Sequence, residues 1–420
     1  MLSGYAVRLG LNIASLPLIG RILGGPAFRH RDFRLLLAAA TCNYMGWGGE
    51  QVIIGLLVFQ LTGSSAWVGV ALALYFLPLL IFGMAAGAIA DWIDRRRLLR
   101  IVEAVIGINL VVFGLLAALG AIELWQVLFM TFVSGSARAM YLPVRQSYAY
   151  DIVGAEHVVA GLGLLNVGLR AGQLIGALVA GSVMQRLGTD IAFFILAGFH
   201  AIAFLVVSRL RSIPTEAHAD PVSILENVRE YVQEMRRNRT LLMLIVVTAA
   251  VEVLGFSFAT ILPEIATERL GVGAEGLGIM HAIRAAGGFS AGIALAGAQS
   301  LRRRGLTYLV VIYCFGFGLI ALAAAPNFAT ILAAVLAIAA LATASDVLTQ
   351  SMMQLSVPDR LRGRAMGAWV FAIGAAPLGH LEMGALAASF GVGTALGLNG
   401  TGLILIAILT TIIAPGLRKL

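Results

Sequence analysis

Ser65–Ala90 reads SAWVGVALALYFLPLLIFGMAAGAIA, an uncharged run that stops on Asp91-Trp92-Ile93-Asp94-Arg95-Arg96-Arg97. A bilayer-crossing helix needs roughly 20 mostly apolar residues, so this stretch supplies one span and the charged turn that ends it. The same alternation continues in both directions. Spans are predicted near Phe33–Leu61, Leu98–Gly120, Leu124–Tyr148, Val158–Gln185 and Ile191–Val207, and then near Thr240–Ala266, Gly276–Gln299, Leu306–Ala325, Phe328–Met352, Gly363–Phe390 and Gly393–Ala414. About twelve spans in two sets of six are expected.

Composition agrees with this reading. Hydrophobic residues make up 60% of the 420 and charged residues 12%, against about 25% charged in soluble domains. The net charge of +8 is not a nucleic-acid patch, because the basic residues punctuate apolar runs. With the N-terminus in the cytoplasm, the inside segments hold Arg8 to Arg34, Arg95 to Arg100, Arg138 and Arg145, Arg209 to Arg239, Arg302 to Arg304, Arg360 to Arg364, and Arg418 with Lys419. The outside turns hold only Arg186 and Arg269. This is the positive-inside distribution, and it predicts that both termini are cytoplasmic. Met1 to Arg34 carries no cleavable signal pattern, so the first span is expected to act as an uncleaved signal-anchor. Cys42 and Cys314 sit in apolar runs with no metal-ligand or disulfide spacing.

The expected organisation is a basic segment 1–34, a six-helix bundle 35–208, a cytoplasmic linker 209–239 and a second bundle with a short tail 240–420. Within the linker, Ile224, Leu225, Val228, Tyr231, Val232 and Met235 recur at helical spacing after Asp220-Pro221, which predicts an amphipathic helix on the membrane face. The halves echo one another weakly: Gly176-Ala-Leu-Val-Ala returns as Gly384-Ala-Leu-Ala-Ala, Asp151 matches Asp359, and Glu50 matches Glu252. Parallel six-helix repeats place a site between them near the midplane.

The turn Gly87-Ala-Ile-Ala-Asp91-Trp-Ile-Asp94-Arg95-Arg96 resembles the motif of the major facilitator superfamily. Trp92 and Asp94 depart from its usual basic residue and second glycine. Asp followed by Arg-Arg is similar to the drug-exporter branch that includes macrolide and enterobactin exporters. Pro143-Val-Arg145-Gln, Leu225 to Arg239, and Val357-Pro-Asp359-Arg-Leu-Arg362-Gly363-Arg364 with Ala376-Pro377-Leu-Gly379 extend the resemblance over most of Phe33 to Pro415. It implies an all-α membrane protein of the major facilitator fold, with two pseudo-symmetric bundles rocking about a central site. Gly87, Asp91, Asp94, Arg95, Arg96, Arg145, Asp359, Arg362, Gly363 and Arg364 would form its gate. Asp91 at a helix end can accept hydrogen bonds from an arginine or from free helix N–H groups, and it is expected to face Arg145 or the turn at Gly363. Gly172-Gln-Leu-Ile-Gly176-Ala177 resembles the exporter motif of span five, with Ala177 in place of its proline.

Ionisable residues inside spans are costly and usually functional. Glu50, Arg170, Glu252, Arg284 beside His281, Asp346, and His380 with Glu382 are the candidates for coupling or substrate contact. Asn43, Gly46, Trp47 and Glu50 share one helical face suited to a cavity wall, and Thr248, Glu252 and Gly255 share another. The bland alternative is a structural ion pair between helices, such as a span glutamate with Arg170 or Arg284; for His200, His281 and His380 a structural role is the expectation. Gly-x-x-x-Gly pairs at Gly83/Gly87, Gly172/Gly176, Gly288/Gly292 and Gly363/Gly367 predict close helix approach. Gly288-Phe-Ser-Ala-Gly292 and Gly271-Val-Gly-Ala-Glu-Gly276 fit enzyme motifs without the strand context that chemistry requires. With no phosphate-binding loop, cofactor or metal constellation, the expectation is a monomeric, non-enzymatic secondary transporter in the cell (inner or plasma) membrane. The resemblance implies export of an amphipathic small molecule such as a drug-like compound or siderophore, with protons as the coupling partner. An importer or uniporter of a metabolite is the alternative, and an intramembrane enzyme or receptor a remote one.

Overall fold

The described residues of the computed structural model are 26–92, 94–212, 238–297, 303–357, 362–414 and 416–417, with side chains described outside 26, 82–92, 155, 159, 296–297 and 362–365. The linker helix expected between Asp220 and Met235 lies outside them, as do Asp359 and the side chains of Gly87, Asp91, Arg362, Gly363 and Arg364.

Twelve long helical segments follow one another among the described residues. They are α1 Arg31–Thr62, α2 Ser65–Trp92, α3 Arg95–Ala118, α4 Leu124–Gly154, α5 Glu156–Leu187, α6 Thr189–Val207, α7 Arg239–Arg269, α8 Gly273–Gly297, α9 Arg304–Ala324, α10 Phe328–Leu355, α11 from Arg362 to Phe390, and α12 Val392–Ile413. Nine of them are long and apolar enough to cross a membrane. Asn43, Glu50 and Gln51 interrupt the apolar run of α1, which is not among the nine. An even number of crossings puts the start of α1 and the end of α12 on one side, here called the termini side.

Apolar burial cannot by itself hold helices together in lipid, because acyl chains are as apolar as leucine; small residues that let backbones approach do so instead. On α5, Gly172 and Gly176 meet α1: a Cβ on Gly172 would lie 3.0 Å from Tyr44 Cβ, and one on Gly176 2.6 Å from the Met45 carbonyl carbon. Gly48 of α1 answers, with a Cβ there 2.7 Å from Gln173 Cα. In the second half Gly316 of α9 and Gly400 of α12 each lie against the other's carbonyl. Outward faces carry the exposed large side chains, among them Ile108 and Leu115 on α3, Phe317 on α9 and Ile412 on α12, where acyl chains replace water. The pair at Gly288 and Gly292 works differently from expectation. Gly292 meets nothing within 4 Å, and Gly288 makes room for a side chain, Arg170, instead of a helix.

Two spans expected as single helices are broken. α7 is α-helical to Leu254, passes through a 3-10 segment Phe256–Ile261 and ends in a π turn Ile265–Arg269. Pro263 lies between these segments and has no N–H to give to a regular ladder. α11 is split into Arg362–Ile373 and Ala376–Phe390, with Pro377 opening the second piece, where a missing N–H costs nothing.

The halves close on each other at the side opposite the termini. Gly181 of α5 and Gly278 of α8 touch, a Cβ on Gly181 lying 2.9 Å from Gly278 Cα. Gln185 Oε1 accepts from the Ala274 N–H (2.9 Å) at the start of α8, one of the donors a helix N-terminus leaves free. Gly69 of α2 and Gly384 of α11 make the matching contact, and Ser65 donates to Glu264. The two arginines that broke the charge rule have local work here. Arg186 pairs with Glu275 at 2.9 Å. Arg269 donates to the carbonyls of Leu322, Ala323 and Ala325 at the end of α9, where the negative end of its dipole lies.

Candidate functional site

A cavity of about 310 Å³ lies between the halves. The first half contributes Trp47, Gln51, Phe76, Arg170 and Gln173; the second contributes Glu252, Phe256, His281, Arg284, Asp346, Trp369 and His380. The breaks in α7 and α11 adjoin it, so irregular backbone lines a cavity and not lipid. Of the residues singled out in the sequence, Trp47, Arg170, Glu252, Arg284 and Asp346 converge here, and Ala177 lines the same space. His281 and His380, expected to be structural, are also on the wall. His380 stacks on Phe76 with centroids 5.2 Å apart, and its Nδ1 lies 2.9 Å from Thr260 Oγ1.

Asn43 and Glu50 are elsewhere. Their face of α1 turns into the first bundle toward α3, α4 and α6, so the expected polar stripe forms an internal network and only Trp47 reaches the cavity. Arg138 donates to Glu50 Oε2 (3.2 Å) and Asn43 Oδ1 (3.0 Å). Asn43 donates to Glu103 Oε1 (2.9 Å), Glu103 Oε2 lies 2.7 Å from His200 Nδ1, and the Tyr75 hydroxyl donates to Glu50 (3.3 Å). The ion-pair partner of Glu50 is therefore Arg138, not Arg170 or Arg284. Arg138, read from the sequence as a cytoplasmic loop charge, sits in the middle of α4 with its guanidinium 5.5 Å from the Trp47 ring centre. The side chains of Glu50, Glu103 and His200 are fully buried. Sequence reasoning passed over Glu103, although its signal was available: a carboxylate inside the apolar run Leu98–Gly120.

On the termini side the motif charges serve the first bundle. Asp94 caps α3, accepting from the Arg97 N–H at 2.7 Å and from Ser212. Arg95 pairs with Asp151, and Arg96 donates to the Ser208 carbonyl. Arg145 is buried over the Tyr44 ring, 5.2 Å from its centre, and its Nε and Nη1 have no partner among the described residues.

The family described as transmembrane secretion effector matches residues 25–417. This chain belongs to that family. It is a multi-pass membrane transporter of the major facilitator superfamily, and the superfamily's architecture accounts for the two bundles and the cavity between them. Among relatives of this transporter, the staphyloferrin A transporter of Staphylococcus aureus is 24% identical, with 82% of this chain and 87% of the relative aligned. The multidrug efflux pump Tap of Mycolicibacterium fortuitum is also 24% identical, over 85% of this chain and 90% of its own. The crystal structure of the nucleoside transporter NupG superposes with a TM-score of 0.74 at 13% identity, covering 91% of this chain and 99% of that one, a likeness of fold alone.

Proposed function

We propose that this transporter is a secondary active exporter of an amphipathic small molecule, working by alternating access in exchange for protons. The observation that carries it is the central cavity, whose charged and aromatic wall is assembled from both halves, with the glycine-to-glycine contacts between them on the side opposite the termini. Rocking the halves would expose the same wall to the other side. Trp47, Phe76, Phe256 and Trp369 favour an amphipathic cargo over a small polar metabolite. Relatives named for efflux, such as the multidrug pump above and the macrolide efflux protein A of Streptococcus pyogenes, support the outward direction.

In this reading the chain is a monomer in the cell membrane with both termini cytoplasmic, 209–239 joins the bundles, and the closed side is the outer one. The turns around Asp91 and Asp359 form the opposing gate. The buried network of Glu50, Arg138, Asn43, Glu103 and His200 supplies the proton site, with Trp47 linking it to the cavity. Accumulation of hydrophobic cations, macrolides and siderophores is compared in cells with and without the protein, before and after collapsing the proton gradient. Lower accumulation that depends on the gradient is expected. Unchanged accumulation of every compound would remove export, and higher accumulation would make the protein an importer.

A further inference from the structure

We infer that the cavity holds an amphipathic organic anion, with its carboxylate head between Arg170 and Arg284 and a flat apolar body against the wall formed by Trp47, Phe76 and Trp369. The inference rests on the cavity being the transport site and names the class of cargo it takes.

Arg170 starts on α5 in the first half and reaches across to the second. A Cβ on Gly288 would lie 2.9 Å from its Cζ and 2.9 Å from Thr343 Oγ1, and its Nη2 is 3.5 Å from that hydroxyl. Gly288 is four residues beyond Arg284 on α8, hence on the same face one turn away. The missing side chain at Gly288 is thus a notch that seats one half's guanidinium beside the other's. Neither arginine makes an ion pair among the described residues, although both line the cavity with Glu252 and Asp346. Arg284 rests over the Phe258 ring at 5.7 Å.

Glu252 and Asp346 share the cavity wall with the two guanidiniums. The groups differ in what they can do next. A carboxylate can be neutralised by a proton, whereas a guanidinium keeps its charge and its donors under all ordinary conditions. Its forked donors match an incoming carboxylate in pairs. Trp47 and Trp369 line the same cavity, and their indole N–H groups, which cannot accept, are buried with no partner among the described residues. An anion seated there would offset the repulsion between two like charges carried by different halves. Occupancy would thereby favour one arrangement of the halves over another, as a ligand must if it is to drive the cycle.

The test uses the full chain in nanodiscs and three probes of one shape: 1-naphthylacetate, its neutral amide, and 2-(1-naphthyl)ethylammonium, titrated by tryptophan fluorescence. The acetate should bind about tenfold or more tightly than either analogue. Arg170→Gln and Arg284→Gln should each remove that preference while leaving amide binding, which also shows that the variants are folded. Arg284→Lys, which keeps the charge without the fork, should retain part of it. Tightest binding of the ammonium, with Glu252→Gln abolishing it and the arginine variants harmless, would overturn the assignment, and so would equal binding of all three. Counterflow of the bound probe in proteoliposomes separates the two readings. Arginine-dependent acetate binding without counterflow sinks transport but not the anion site, and counterflow of the ammonium alone does the reverse.

Discussion

Glu50 stands about 12 residues before the end of α1, roughly 18 Å along the helix at 1.5 Å per residue. Arg138 is about 14 residues into α4, roughly 21 Å from the same side. Depth in a span marked Glu50 as unusual from the sequence, because a carboxylate there needs a partner. The partner was not legible, since pairing depends on which helices adjoin. Glu50→Gln mimics the protonated acid and should abolish gradient-driven accumulation while sparing counterflow, measured in proteoliposomes with and without a pH gradient; uphill transport with unchanged pH dependence would leave Glu50 structural. Arg138→Gln should be the more damaging change, because it strands Glu50 in a buried site. Removing one partner of such a pair costs about 3–5 kcal/mol, visible as a large fall in thermal midpoint in detergent. A fall no greater than that of Glu50→Gln would mean that the network carries no net charge for Arg138 to balance.

At the scale of elements, glycine positions decide which helices touch. Gly176 lies against the Met45 backbone, which cannot rotate away, so Gly176→Val should force α5 off α1 and cost about 1–3 kcal/mol or more. Thermal unfolding of the purified protein checks it, with Gly292→Val as a control where the space is open. Equal midpoints for the two variants would deny the close packing. Arg269→Gln removes the cap on α9 and should destabilise by about 1–3 kcal/mol, the range for hydrogen bonds made by a charged group. The four-residue spacing of Gly172 and Gly176 announced a helix contact in the sequence, and the structure has one. The same spacing at Gly288 and Gly292 concealed a seat for Arg170, because spacing reports a smooth face without saying what fills it. The breaks in α7 and α11 were hidden for a related reason. Pro263 and Pro377 lie within apolar runs whose composition continues unchanged across the kink.

For the whole molecule, sidedness is the quantity to test. Single cysteines at Ser64, Asn327 and Gly393 should label with an impermeant maleimide from outside intact cells, and those at Ala217 and Ser300 only after the membrane is opened; the reverse pattern would invert the protein and make its closed side the cytoplasmic one. The contacts of Gly181 with Gly278 and Gly69 with Gly384 join the halves at the side of Ser64.

What the sequence by itself determined is the set of crossings. Apolar length and charged turns are local quantities, and the bilayer imposes one thickness on every span. Twelve segments could be counted and the fold inferred before any contact was known. What only the tertiary structure decided is which charges share a space. Arg170 and Arg284 are 114 positions apart in the chain, and Glu50 and Arg138 lie on different helices of one bundle. Each of these neighbourhoods depends on the rotation of helices about their own axes. Those rotations are set by glycine notches and hydrogen bonds between distant residues, a long-range constraint that no window along the chain contains.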